Sequence, residues 1–81
     1  MRAEVYTKPN CPYCTKAKAL LIEKGYSIIE LDVSQESVRD LLLEQVPKAR
    51  MVPQIFIDGD YVGGYDALYT YFEDNKQMLR G

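Results

Sequence analysis

Val5-Tyr6-Thr7-Lys8-Pro9-Asn10-Cys11-Pro12-Tyr13-Cys14 is the stretch on which the reading of this chain turns. A short apolar run ends at Thr7. Lys8-Pro9-Asn10 then has the composition of a turn, because proline and asparagine both interrupt a strand, and Asn10 can cap a following helix. Pro12 suits the first helical turn, where its missing N–H has no intrahelical partner to lose. On such a helix Cys11 and Cys14, three residues apart, share one face and can oxidise to a disulfide and reopen. Cys11 falls at the helix N-terminus, where unpaired N–H groups and the positive end of the helix dipole favour a thiolate, the reactive form. The pattern points to thiol–disulfide exchange.

These are the only two cysteines among 81 residues, and there is no histidine. That composition removes Cys–His nucleophilic pairs, Cys₂His₂ zinc sites and any histidine general base. Two thiols are too few for a disulfide-stapled secreted scaffold, and a loop this short restricts the unfolded chain little. A structural disulfide or half of a metal site are the plain alternatives for the pair; its place between a strand and a helix favours redox chemistry. A net charge of −2 weighs against nucleic acid or an anionic membrane as partner. No apolar stretch approaches the ~20 residues of a membrane-spanning helix. Met1-Arg2-Ala3-Glu4 brings in an acid at once with no apolar core behind it, so no secretory signal and a cytoplasmic location are expected. At this size residues 1–81 are read as a single domain.

Outward from the thiols, Glu4–Tyr6 reads as a strand with Ala3, Val5 and Tyr6 as candidates for burial. The helix continues to Lys24, with Ala17, Leu20, Leu21 and the stem of Lys24 on one face, and Gly25 stops it. Ser27–Leu31 is a second strand. Ser34 is placed to cap a second helix with Val38, Leu41, Leu42 and Val46 as its apolar positions, ended by Pro47. After the basic loop Pro47–Arg50, Val52–Ile57 and Asp60–Val62 form a hairpin around Asp58-Gly59, closed by Gly63-Gly64. The last helix is expected from about Tyr65-Asp66 to Glu73 or Asn75, with Leu68, Tyr71 and Phe72 inward. Tyr61, Tyr69 and Tyr71 read as packing and surface aromatics. The order β-α-β-α-β-β-α makes the chain an α/β protein: a mixed four-stranded sheet flanked by three helices. Its first two strands are parallel through a right-handed crossover, and its terminal hairpin is antiparallel.

With these segments placed, the chain resembles the dithiol glutaredoxins of the thioredoxin-fold superfamily. The resemblance rests on Tyr6-Thr7-Lys8, on Cys11-Pro12-Tyr13-Cys14, on Val52-Pro53-Gln54-Ile55-Phe56-Ile57-Asp58-Gly59 and on Gly63-Gly64-Tyr65-Asp66. They occur in the same order and spacing over almost the whole chain. It implies a thioredoxin-like fold with Cys11 as nucleophile and Cys14 as resolving thiol. Lys8, Tyr13, Val52, Pro53, Gly64, Tyr65 and Asp66 would line a glutathione groove. Pro53 would be cis, a minority state for an X–Pro bond, and the ligand would pair with the backbone of Val52. Gly63-Gly64 would admit the ligand close to the backbone, Asp66 would meet its amino group and Lys8 a carboxylate. Asp66 also suits a helix N-terminus on its own account, Tyr13 could simply cover the start of the first helix, and Lys8 could be a solvated lysine. One departure is Met51, where the family usually has threonine. A thioether is softer and more apolar, so affinity or partner choice should differ while activity remains.

The resemblance further implies glutathione as co-substrate with no tightly bound cofactor. Disulfide-containing and glutathionylated proteins would be the partners, ribonucleotide reductase among them, and the protein would act as a monomer. Lys8 or Lys16 would support a Cys11 thiolate, while Cys14, a turn further in, stays a thiol. Two other functions compete. A thioredoxin-like electron donor recycled by a flavoprotein reductase is disfavoured by Tyr13 and Gly64-Tyr65-Asp66, and by the lack of a tryptophan ahead of the thiols. A glutathione-dependent iron–sulfur cluster binding module is disfavoured by Pro12 beside Cys11.

Overall fold

The first strand, β1 (Arg2–Thr7), sends Ala3 and Val5 to one apolar layer and Tyr6 to the other. The computed structural model describes residues 1–80, and the side chains of residues 1–73. After β1 come α1 (Pro12–Glu23), β2 (Ser27–Asp32), α2 (Glu36–Gln45), β3 (Gln54–Ile57), β4 (Asp60–Gly63) and α3 (Tyr65–Arg80). The sheet order is β2-β1-β3-β4. β1 pairs parallel with β2, and β3 runs antiparallel to both β1 and β4. Ala3, Val5, Ile55 and Ile57 face one side, where they bury against Ala17 and Leu21 of α1 and Leu68 of α3. Tyr6 and Phe56 face the other and pack on Leu42 of α2, their rings edge-on at 5.9 Å. The result is the expected thioredoxin-like arrangement, a mixed four-stranded sheet with three helices around it. Burying each large aliphatic side chain of these layers stabilises the fold by about 1.5–3 kcal/mol.

Local chemistry explains where the elements stop. Asp58 and Gly59 both take positive φ, 50° and 89°, as a tight hairpin turn requires. Gly25, at φ 86°, follows the last turn of α1 in the left-handed conformation that ends many helices.

Several expectations are corrected. Asn10 does not cap α1; it sits in the preceding turn at φ 60°, and Cys11 is the N-cap. Ser34 does not cap α2 either. Its hydroxyl and amide both turn back to Asp32 Oδ1, at 2.7 and 2.9 Å, and α2 begins after Gln35 without a side-chain cap. Leu41 is 44% exposed whereas Leu42 is 4% exposed. The inward side of α2 is buried Leu42 with half-buried Val38 and the C-cap Val46, flanked by Gln45, whose Nε2 donates to the Tyr6 hydroxyl at 2.9 Å. Lys24 lies outside the core with its ammonium 5.7 Å above the Phe72 ring. β3 starts at Gln54 instead of Val52, because Pro53 has no N–H to offer the ladder; the Val52–Pro53 bond is cis, as the resemblance implied. β4 extends one residue further than expected, to Gly63, and α3 runs past Asn75 to Arg80.

Candidate functional site

The site forms where the end of β1, the start of α1, the loop before β3 and the start of α3 meet. β1 delivers the chain to a turn, and α1 opens with Cys11 capping itself: its Sγ accepts the Cys14 N–H at 3.3 Å. Its carbonyl accepts from the Thr15 amide at 3.2 Å and the Thr15 hydroxyl at 3.3 Å. The Cys11 sulfur is half-buried and donates to the Val52 carbonyl at 3.8 Å, a contact across 41 residues of sequence. Cys14, one turn in, is 1% exposed. Burial pushes its thiol up from the ordinary value, and the neighbouring Cys11 sulfur pushes the same way. The Thr7 hydroxyl and the Lys8 backbone pull back against them. Both cysteines are free thiols. Of the two sulfurs only Cys11 can be reached by a macromolecular disulfide. Cys14 waits beneath it as the protonated second thiol. That is the arrangement a dithiol–disulfide exchange needs.

Six of the seven predicted ligand residues line one groove of about 490 Å³: Tyr13, Val52, Pro53, Gly64, Tyr65 and Asp66, together with Met51 and Ala67. The rings of Tyr13 and Tyr65 approach to 5.8 Å, tying the start of α1 to the start of α3. Asp66 sits in the first turn of α3, with its carboxylate at the positive end of that helix. Lys8 is not brought into this groove. It lines a second cavity of about 720 Å³, shared with Cys11, Thr15, Lys18, Glu30 and Asp32, in which Lys18 and Glu30 form an ion pair at 2.7 Å. Lys16 lies over the Tyr13 ring, 5.0 Å from its centroid, so its charge is directed at that ring.

The paired glycines have separate roles. Gly63 has φ 124°, and a Cβ there would come within 2.9 Å of the Ala67 Cβ. A Cβ on Gly64 would meet the Pro53 carbonyl at 3.5 Å, an ordinary contact. Gly63 is therefore demanded by the backbone, while Gly64 borders the groove and its carbonyl accepts the Leu68 amide at 2.9 Å in the first turn of α3.

Two residues of this region were missed by the sequence reading. The Gln54 side chain is buried, with Nε2 donating to the Met51 carbonyl at 2.9 Å and Oε1 accepting from the Tyr61 hydroxyl at 2.6 Å. The available signal was an amide opening the otherwise apolar run Ile55-Phe56-Ile57. Tyr61 does pack, against Phe56 at 5.2 Å, but its hydroxyl has a specific partner.

Comparison with known proteins agrees with this geometry. Residues 3–62 match the family model described as Glutaredoxin. Glutaredoxin 3 of Escherichia coli strain K12 is 46% identical over 67 residues, which cover 83% of this chain and 81% of that protein. Among solved structures, a glutaredoxin from Brucella melitensis superposes with a TM-score of 0.75 at 38% identity, covering 98% of this chain and 86% of that one. A buckwheat glutaredoxin–glutathione complex superposes with a TM-score of 0.78 at 27% identity, covering 95% and 73%.

Proposed function

This chain belongs to the glutaredoxin family, and from that membership we propose that it reduces protein disulfides and protein–glutathione mixed disulfides with glutathione as co-substrate. Family members are thiol–disulfide oxidoreductases that use glutathione, and no cofactor need be held tightly for that chemistry. The observation that carries the proposal is the position of the reachable sulfur. Cys11 Sγ lies against the Val52 carbonyl, and Val52 lines the groove between Tyr13 and Asp66. The solved complex of the buckwheat relative with glutathione supports the same ligand for this groove.

In the proposed cycle the Cys11 thiolate attacks the glutathione sulfur of a mixed disulfide. The protein thiolate leaves and takes a proton from water, and glutathione remains on Cys11 as a disulfide. A second glutathione thiolate then attacks that glutathione sulfur, freeing Cys11 and producing oxidised glutathione. With a protein disulfide as substrate, Cys11 forms the mixed disulfide and Cys14, losing its proton, displaces the reduced protein. The internal disulfide that results is reopened by two molecules of glutathione. The peptide backbone of glutathione pairs with Val52, its amino group meets Asp66, and Tyr13 and Tyr65 cover it. Lys8 lines the cavity that also holds Cys11, and a carboxylate of glutathione meets it there. The protein acts as a monomer in the cytoplasm, where the glutathione pool is reducing, and ribonucleotide reductase is included among the substrates to test.

The test is NADPH consumption with a small glutathione mixed disulfide, coupled to glutathione and glutathione reductase in one arm and to thioredoxin reductase in another. We expect turnover only in the first arm, abolished by Cys11→Ser and partly retained by Cys14→Ser. Turnover only with thioredoxin reductase would replace this reading with that of a thioredoxin-like donor.

A further inference from the structure

Gln54 is a polar residue where the strand has no evident need of one. It is 6% exposed and begins a strand whose next three residues, Ile55, Phe56 and Ile57, are all buried. Packing alone would be served by leucine or methionine, and a buried amide costs stability unless both of its ends are paired. Here both are. Tyr61 reaches across the β3–β4 hairpin to donate its hydroxyl to Oε1, and Nε2 passes on to the Met51 carbonyl. The segment it reaches, Met51–Val52–Pro53, lies before the first ladder residue of β3, and Pro53 has no N–H with which to anchor it. Val52, in the middle of that segment, carries the carbonyl that faces Cys11 Sγ. The Tyr61 ring packs on Phe56 with centroids 5.2 Å apart, which positions the hydroxyl that begins the relay.

We propose that Gln54, braced by Tyr61, is a positioning residue for the Cys11 site: it holds the Met51–Val52 backbone where an extended substrate pairs with it. The proposal uses the glutathione reading in one respect, that glutathione is the extended substrate. Any peptide pairing with Val52 depends on the same tie. Loosening the relay makes the edge presented by Val52 less ordered before binding, which weakens substrate affinity and leaves the cysteines themselves intact.

Tyr61→Phe removes the hydroxyl and keeps the ring against Phe56; Gln54→Met removes both hydrogen bonds at similar volume. Steady-state kinetics on a glutathionylated peptide should show KM raised about fivefold in Tyr61→Phe and about twenty-fivefold in Gln54→Met, from the loss of one and two neutral hydrogen bonds. In the same variants, kcat and the rate of Cys11 alkylation by iodoacetamide, which needs no groove, should change by less than about twofold. A merely structural role would lower the unfolding temperature while leaving KM at the wild-type value, and that outcome overturns the proposal. If Gln54→Met does not fold, Tyr61→Phe still decides the matter on the same ratio. A peptide disulfide without glutathione is run in parallel. Should wild-type protein turn over only that substrate, the glutathione reading fails and the relay is judged on the KM for the peptide disulfide. A rise there supports it, and an unchanged value overturns it.

Discussion

The sulfur of Cys11 caps the helix that carries Cys14, accepting the Cys14 amide at 3.3 Å. The nucleophile and the first turn of α1 are thus one structure, and a substitution at Cys11 touches both chemistry and folding. Serine retains an acceptor at the N-cap and alanine does not. Cys11→Ser and Cys11→Ala should therefore both be inactive in the NADPH-coupled assay, while Cys11→Ala is less stable than Cys11→Ser by about 1 kcal/mol in urea unfolding. Equal stability of the two variants would show that the cap contributes nothing.

Burial raises the Cys14 thiol above its ordinary value of 9.0. In the unfolded chain the thiol loses its proton near that ordinary value; in the folded protein it does so only at higher pH. Between the two the native state binds more protons, so stability present below the ordinary value is lost as pH rises through the window. The reduced protein should lose unfolding free energy above about pH 9, and Cys14→Ser should lose less over the same range. Buried Tyr6 and half-buried Tyr26, both raised from 10.0, act in the same direction at higher pH, so the difference between the two proteins is the quantity to measure.

Asp66 lines the groove from the first turn of α3. If it receives the amino group of glutathione, Asp66→Asn should raise the KM for glutathione by about tenfold with kcat little changed, the loss of a charge-assisted hydrogen bond. Stability should fall by only about 0.3–1 kcal/mol, since the lost helix-end charge is solvent-facing. Unchanged KM would leave Asp66 with the helix-end role alone.

The adjacent glycines should respond very differently to alanine. Gly63→Ala must place a Cβ 2.9 Å from Ala67 at φ 124°, whereas Gly64→Ala adds only an ordinary contact at 3.5 Å. Chemical denaturation should show Gly63→Ala destabilised by about 1–3 kcal/mol. Gly64→Ala should stay within about 1 kcal/mol of wild type. Comparable losses at the two positions would mean that the backbone here relaxes more than its geometry implies.

The order of the elements, the parallel pairing of β1 with β2 and the thiols at the start of α1 are legible in the chain because they depend on local chemistry. Proline and asparagine end a strand, Gly25 and Asp58-Gly59 accept positive φ, and apolar spacing distinguishes helix from strand. Spacing failed at Leu41, because a period of 3.6 marks a face of a helix without saying where on that face the sheet will sit. Capping chemistry misled at Asn10 and Ser34, where the residue found a nearer partner or a turn conformation first.

The chemistry of this protein was therefore written in a few adjacent residues, two thiols and the helix start that holds them. The reach of the site was decided by tertiary structure. Nothing local to Cys11 announces that a carbonyl 41 residues away faces its sulfur, that Lys8 opens onto a different cavity from Tyr13, or that Tyr61 reaches Met51 through Gln54. Those relations follow from a sheet that sets β3 beside β1 and so carries the Met51–Pro53 loop to the helix N-terminus. Contacts between segments far apart in sequence come into being only when the core between them closes.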